Sequence, residues 1–361
     1  PYLEMNKRMT GIEWLSKKNE YMDKIKNTKN DVEFFNVLND ILRDLNNGHV
    51  GMISREFFIE HLFPYESNLK KIPDSKKLWQ NLFFETINNP KILRAYDLEN
   101  FEFKSEDYEK NLIVEPVKNA SITNIIDNKI AYIRIPKMIN NLEIEGDKKL
   151  IEDYLNKIKN YQALIIDIRG NSGGATSYWS DFLVPSITNK SLTNENYMFY
   201  RKGKVTDSIR TYSKKNNKEF YDEFKEIKEL DIEKLPKLPH EVSKDFEYFI
   251  KNTHTIDPHK DSINFKGKIY LLVDRNVFSA SEAFAVFAKN TAFATLIGEK
   301  TGGDGIGDDP WIEMLPNSGY LFRFTKEMGT NIDGSANFEH KTTPNYVIEN
   351  PYFNAIFLDD E

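Results

Sequence analysis

The chain has no cysteine among its 361 residues. Disulfide frameworks, thiolate nucleophiles, cysteine-ligated zinc and iron–sulfur clusters are thereby excluded. The redox compartment stays open, because a cysteine-free chain tolerates either. Positive charge is also short: 49 Lys and Arg stand against 56 Asp and Glu, a formal net charge of −7. Tracking phosphates needs a basic face, so nucleic acid is not an expected partner. No apolar run approaches the roughly 18 residues of a membrane span. The Walker pattern, the dinucleotide fingerprint, internal repeats and low-complexity tracts are missing too. The numbering starts at Pro1 and leaves open a signal peptide or lipid anchor upstream.

What is present suits a soluble globular chain long enough for more than one structural unit. Residues 1–98 read as a mainly helical region, and residues 99–361 as an α/β core with a polar insertion at about 186–265. Phe34, Leu38, Ile41, Leu42 and Leu45 recur at helical spacing, with Asn30 and Glu33 as a starting cap. Asn46, Asn47 and Gly48 end that helix, the glycine being suited to the left-handed position, and His49 follows. A second helix is expected over Lys77–Ile92. KIAYIRI (129–135), ALIIDI (163–168) and KIYLLV (268–273) read as strands, the last two apolar enough for burial on both faces. Further strands are expected at Ala294–Ile297 and Tyr320–Phe324. Helices are expected at Asp147–Ile158, Tyr178–Leu183 and Ser279–Lys289, and in the insertion at Glu219–Lys228 and Val242–Lys251. Such alternation implies right-handed crossovers.

Three segments could carry chemistry. Ser279 follows a buried strand and opens a helix, where serine is most often a cap. The same place suits a nucleophile, because the unpaired Ala280 amide can face a developing oxyanion. Asp167-Ile168-Arg169-Gly170-Asn171-Ser172-Gly173-Gly174 delivers a Gly-Gly turn from a strand end. It is either an ordinary turn with an Asp167–Arg169 ion pair, or a close backbone approach supplying a second oxyanion N–H from Gly173 or Gly174. A serine needs a base. Of the six histidines, His49 occupies a loop where a side chain can be aimed; His254 and His259 lie in the insertion without a third metal ligand at sensible spacing.

Asn47-Gly48-His49, DIRGNSGG (167–174), VDRNVFSASEAF (273–284) and LIGEKTGG (296–303) occur in the order found in the tail-specific, C-terminal-processing serine proteases and the tricorn core protease. The chain resembles that family over residues 30–50 and 128–350, the insertion excepted. The resemblance implies a crotonase-like (ClpP/crotonase) α/β fold and a serine endopeptidase acting on proteins or peptides through an acyl-enzyme, with Ser279 as nucleophile and no metal or organic cofactor. Where the processing proteases carry a lysine base, this chain has Asp304, and Lys300 stands elsewhere, which argues against a Ser–Lys pair. The tricorn-like branch implies His49 as base, oriented by Glu339 late in the chain. Asp167, Arg169 and Glu282 are expected to support the site. Gly51–Asn128 lacks a glycine-rich carboxylate-binding loop, so a PDZ module is expected to be missing; Asn345 stands where an acidic residue is usual. The family further suggests an extracytoplasmic setting. The competing reading is an inactive member that binds proteins or apolar ligands, with Ser279 only a cap. Ser279, His49, Glu339 and the Gly-Gly turn together favour the enzyme.

Overall fold

The computed structural model describes residues 2–62, 89–99, 119–140 and 143–348. Strands are numbered in chain order. The largest sheet contains β2 (Ser121–Ile126), β3 (Ile130–Arg134), β4 (Ala163–Asp167), β8 (Lys268–Val273), β9 (Thr295–Gly298) and β13 (Tyr346–Val347), in the spatial order β13-β9-β8-β4-β3-β2. The strands from β3 to β13 are mutually parallel, and β2 joins β3 as an antiparallel hairpin. Parallel neighbours need crossovers. The helix Glu145–Ile158 links β3 to β4, and Ala280–Asn290 links β8 to β9. The apolar runs expected as strands become β3, β4 and β8, because helices cover them: Ile133, Ile166 and Leu271 are fully buried. Trp179 stacks on Phe284 at 5.5 Å and packs on Phe287 at 5.2 Å, filling the same core.

A second, antiparallel sheet corrects the reading of the insertion. It is ordered β12-β5-β7-β6, from β5 (Leu192–Arg201), β6 (Lys225–Glu226), β7 (Phe246–Ile256) and β12 (Glu327–Asn331). Val242–Lys251, expected as a helix, is helical only over Val242–Asp245 and then becomes β7, paired along its length with β5. Aromatic and β-branched residues dominate β7, and its outer half alternates with period two, which outweighs the weaker helical spacing. The helix expected over Glu219–Lys228 stops at Glu223, and Lys225–Glu226 pair with β7.

The third sheet, β1-β11-β10, is built from β1 (Gly51–Met52), β10 (Trp311–Met314) and β11 (Leu321–Phe324). Of the helix expected over Lys77–Ile92, residues 77–88 lie outside the described residues. A helix does run over Pro90–Ala95, with the Asn89 side chain accepting from the Lys91 amide. The PDZ reading of Gly51–Asn128 also falls largely outside the described residues. The loops that leave β4, β8 and β9 at their carboxyl ends carry Gly170–Gly174, Ser279 and Asp304 respectively. Ligands of open α/β sheets gather at that edge.

Candidate active site

Ser279 occupies a strained turn. Its backbone lies at φ 56° and ψ −125°, immediately before the helix Ala280–Asn290. For a residue with a Cβ this conformation costs of order 1–3 kcal/mol. Neighbouring loops impose it. The Ser279 N–H reaches the Gly303 carbonyl at 3.4 Å, Phe278 N–H the Asn171 carbonyl at 3.3 Å, and Gly302 N–H the Val277 carbonyl at 2.7 Å. Asp274 joins the Gly170–Gly174 turn to the segment leading to Ser279 by accepting from the amides of Gly170 and Asn276, both at 3.0 Å. Ser279 does not cap its helix through the side chain. Its Oγ lies instead 2.9 Å from His49 Nε2.

His49 is aimed by a built turn. The helix Asp31–Arg43 starts at Asn30, whose side chain accepts from the Glu33 amide. The left-handed residue at its far end is Asn46 (φ 49°) and not Gly48. Gly48 is needed for space, since a Cβ there would meet the Phe278 ring at 3.1 Å. The His49 N–H donates to Asn47 Oδ1 at 2.7 Å, and its ring packs against Phe278 at 4.6 Å. β1 follows and anchors the segment on β11.

The carboxylate facing His49 is Asp304, not Glu339. His49 Nδ1 lies 2.7 Å from Asp304 Oδ2, which also accepts from Asn47 Nδ2 at 2.9 Å. Tyr2 donates to the other oxygen, Oδ1, at 2.8 Å. The imidazole therefore sits between a hydroxyl and a buried carboxylate, with its Nδ1–H directed to the acid and Nε2 left to accept from Ser279. Asp304 reaches this place because Gly303, at φ 88°, bridges Phe278 just before the serine. Glu339 lies on the short helix Asn337–His340 and is occupied by Arg8, which grips it at 2.9 and 2.7 Å and holds its pKa below the usual carboxylate range.

The Gly-Gly turn also needs revising. The Gly173 N–H is taken by Asn171 Oδ1 at 2.9 Å, so the turn's own geometry removes it as an oxyanion donor. Gly173 serves by closeness: a Cβ there would meet Ser279 Cβ at 2.9 Å. Met138 brackets Gly174, taking the Ala175 amide at 2.7 Å and donating to the Gly173 carbonyl at 3.1 Å. Strand alternation turns the Gly174 N–H away from Met138. The Ala280 N–H, at the first helical position, has no intrahelical acceptor. Asn171 carries no signal of its own in the sequence. It is fully buried, and Oδ1 also accepts from Ser281 Oγ at 2.6 Å, tying the turn to the serine's helix.

Asp167 and Arg169 do form the ion pair, at 2.9 and 2.6 Å, and Tyr132 donates to Asp167 at 2.6 Å. They lock the end of β4 and do not touch Ser279 or His49 through these bonds. Glu282 is fully buried and accepts from Asn337 Nδ2 at 2.8 Å and Thr342 Oγ1 at 2.7 Å. Burial raises its pKa. The folded protein then binds the proton more tightly than the unfolded chain, so stability falls as pH climbs above the ordinary carboxylate range. Glu282→Gln cannot ionise, and its carbonyl oxygen can still accept from both Asn337 Nδ2 and Thr342 Oγ1. Its Tm relative to wild type is expected to improve between pH 5 and pH 8; an unchanged difference between the two pH values would refute the assignment.

His254 packs against Trp179 and Phe287, and His259 Nδ1 lies 3.4 Å from Ser186 Oγ. Among the described residues no group of three or more His, Asp or Glu side chains is placed to hold a metal ion.

Residues 129–348 match the model of peptidase family S41, well over half of the chain. Among solved structures, a candidate peptidase from Parabacteroides merdae is 16% identical, covering 93% of this chain and 82% of its own, with a TM-score of 0.54. A lipoprotein from Streptococcus agalactiae is 15% identical over 96% of this chain and 89% of its own, TM-score 0.44. The photosystem II D1 C-terminal processing protease is 12% identical over 94% and 87%, TM-score 0.42. No curated protein matches the chain. The match over residues 129–348 shows that the chain belongs to peptidase family S41, a family of serine peptidases.

Proposed function

We propose that Ser279, His49 and Asp304 work as a nucleophile–base–acid triad in an endopeptidase that passes through an acyl-enzyme. One observation carries the reading: His49 lies between Ser279 Oγ at 2.9 Å and Asp304 Oδ2 at 2.7 Å. His49 Nε2 takes the Ser279 proton as Oγ attacks a peptide carbonyl. Asp304 holds the imidazole in the accepting tautomer and stabilises the imidazolium that forms. The amides of Ala280 and Gly174 receive the oxyanion, each donor being worth roughly 3 kcal/mol of barrier. His49 then gives its proton to the leaving amine, and water, activated by the same imidazole, releases the acyl group.

The strain at Ser279 supports this reading over a plain helix cap, which would leave the backbone extended and the hydroxyl on the helix amides. We read the core as crotonase-like on its run of parallel strands with intervening helices. Selection of substrates without a PDZ module and an extracytoplasmic setting belong to the same proposal, and both rest on the family resemblance.

A fluorophosphonate probe tests the centre directly. Stoichiometric labelling is expected at Ser279, faster at pH 8 than at pH 5, because a protonated His49 cannot accept the serine proton. Mass spectrometry of the adduct locates it. An unlabelled protein, or a label on another serine, would sink the proposal.

A further inference from the structure

We propose that Tyr2 is a positioning residue of this centre, its hydroxyl fixing the Asp304 carboxylate in the orientation that serves His49. The inference rests on the triad reading above. Asp304 divides its two oxygens: Oδ2 faces His49 Nδ1 and Asn47 Nδ2, and Oδ1 accepts from Tyr2 at 2.8 Å. Among the described residues Tyr2 is the hydrogen-bond donor to Oδ1. A buried carboxylate oxygen without a donor is costly, so loss of this bond gives the side chain reason to rotate away from His49.

The opening segment is built to deliver that hydroxyl. Tyr2 is only 7% exposed, and its ring lies 4.6 Å from Phe338, beside Met5, Met328 and Ala336. The helix Leu3–Thr10 that follows is pinned twice more. Asn6 Nδ2 donates to the Asp44 carbonyl at 2.8 Å, at the end of the helix that leads into Asn47 and His49. Arg8 bridges Glu241 at 3.0 Å and Glu339 at 2.7 Å. Glu339 thus acts on the site at a remove, by holding the helix that carries Tyr2. Burial, then the Asp304 charge, push the Tyr2 pKa well above its ordinary value, with Glu327 adding to it, so the hydroxyl stays a donor.

Tyr2→Phe keeps the ring and its packing. It is expected to lower kcat about tenfold with KM unchanged. As the released Asp304 carboxylate turns from His49, the imidazolium loses part of its counter-charge, so the acid limb of kcat/KM should move down by about half a pH unit. A purely structural loss would lower Tm without moving that limb. In an Asp304→Asn background the same change should add less than about twofold, because its route is already cut. Unchanged kcat and acid limb, or effects that multiply independently, would overturn the proposal. NMR titration of His49 in Ser279→Ala protein reads the coupling without turnover. An inactive wild type would refute the triad reading, whereas a His49 pKa indifferent to Tyr2→Phe would refute this one.

Discussion

Ser279→Ala and His49→Ala are each expected to lower kcat by about 10⁶-fold, and the double variant to be no worse than either. The two groups act as one device across a 2.9 Å contact. Without the hydroxyl the base has nothing to activate; without the imidazole the hydroxyl keeps its proton at neutral pH. The residual rate comes from the backbone donors and substrate binding, which neither change touches. Lys300→Ala is the contrasting variant. Lys300 is exposed and lines a cavity with Lys237, His340 and Lys341, away from the bonds that join Ser279, His49 and Asp304. Its turnover is expected to stay within about twofold of wild type. Steady-state kinetics on one peptide substrate, with circular dichroism to verify folding, decides the matter. Lys300→Ala abolishing turnover while His49→Ala spared it would replace the histidine by a lysine base.

The parts of this centre that sequence revealed are those with a local signature. Ser279 could be placed because KIYLLV is a buried strand and SEAFAVF a helix, so the turn between them had to lie at the sheet's carboxyl edge. His49 could be placed because a capped amphipathic helix ends just before it. The third member had no such mark. Choosing between Asp304 and Glu339 depends on which loop folds back against residue 49, a contact spanning 255 positions. The available signal is Gly302-Gly303-Asp304-Gly305, three glycines around one acid in the loop after β9. Gly303 and Asp304 take left-handed backbone, and a Cβ at Gly305 would meet the Ala283 amide at 2.4 Å. In the sequence, Asp304 stands out only as the place where the family it resembles carries a lysine. Glu339 looked suitable because its partner, Arg8, lies 331 residues away and its claim on that carboxylate has no local trace. The same limit explains Val242–Lys251: the partner strand that makes Phe246–Ile256 a strand is some 50 positions upstream in the chain. It also explains Gly173, whose amide was free on paper until Asn171, two residues earlier, bent back onto it.

Asp304→Asn is expected to lower kcat by about 10⁴-fold with little change in KM. An amide in that position can present N–H to His49 Nδ1, which then must accept. The imidazole proton moves to Nε2, the atom that has to take the proton of Ser279, and the base is spent before the reaction starts. Tyr2 would still donate to the remaining carbonyl oxygen, whereas Asn47 Nδ2 would lose its acceptor, so circular dichroism is used to separate misfolding from the loss of turnover. Glu339→Gln separates the two acids. Its carboxylate pairs with an Arg8 that is itself partly exposed and keeps Glu241 as a second partner. The change should cost about 1 kcal/mol of stability or less and leave kcat within about threefold. The pH profiles of the two variants should also differ in kind. Glu339→Gln keeps the acid limb that reports His49, since its carboxylate touches Arg8 and not the imidazole. In Asp304→Asn the imidazolium loses its buried counter-charge at 2.7 Å, so the limb should fall to lower pH even as the plateau collapses. A Glu339→Gln enzyme crippled in kcat beside a competent Asp304→Asn enzyme would return the orienting role to Glu339, and the close contact at Nδ1 would then need another explanation.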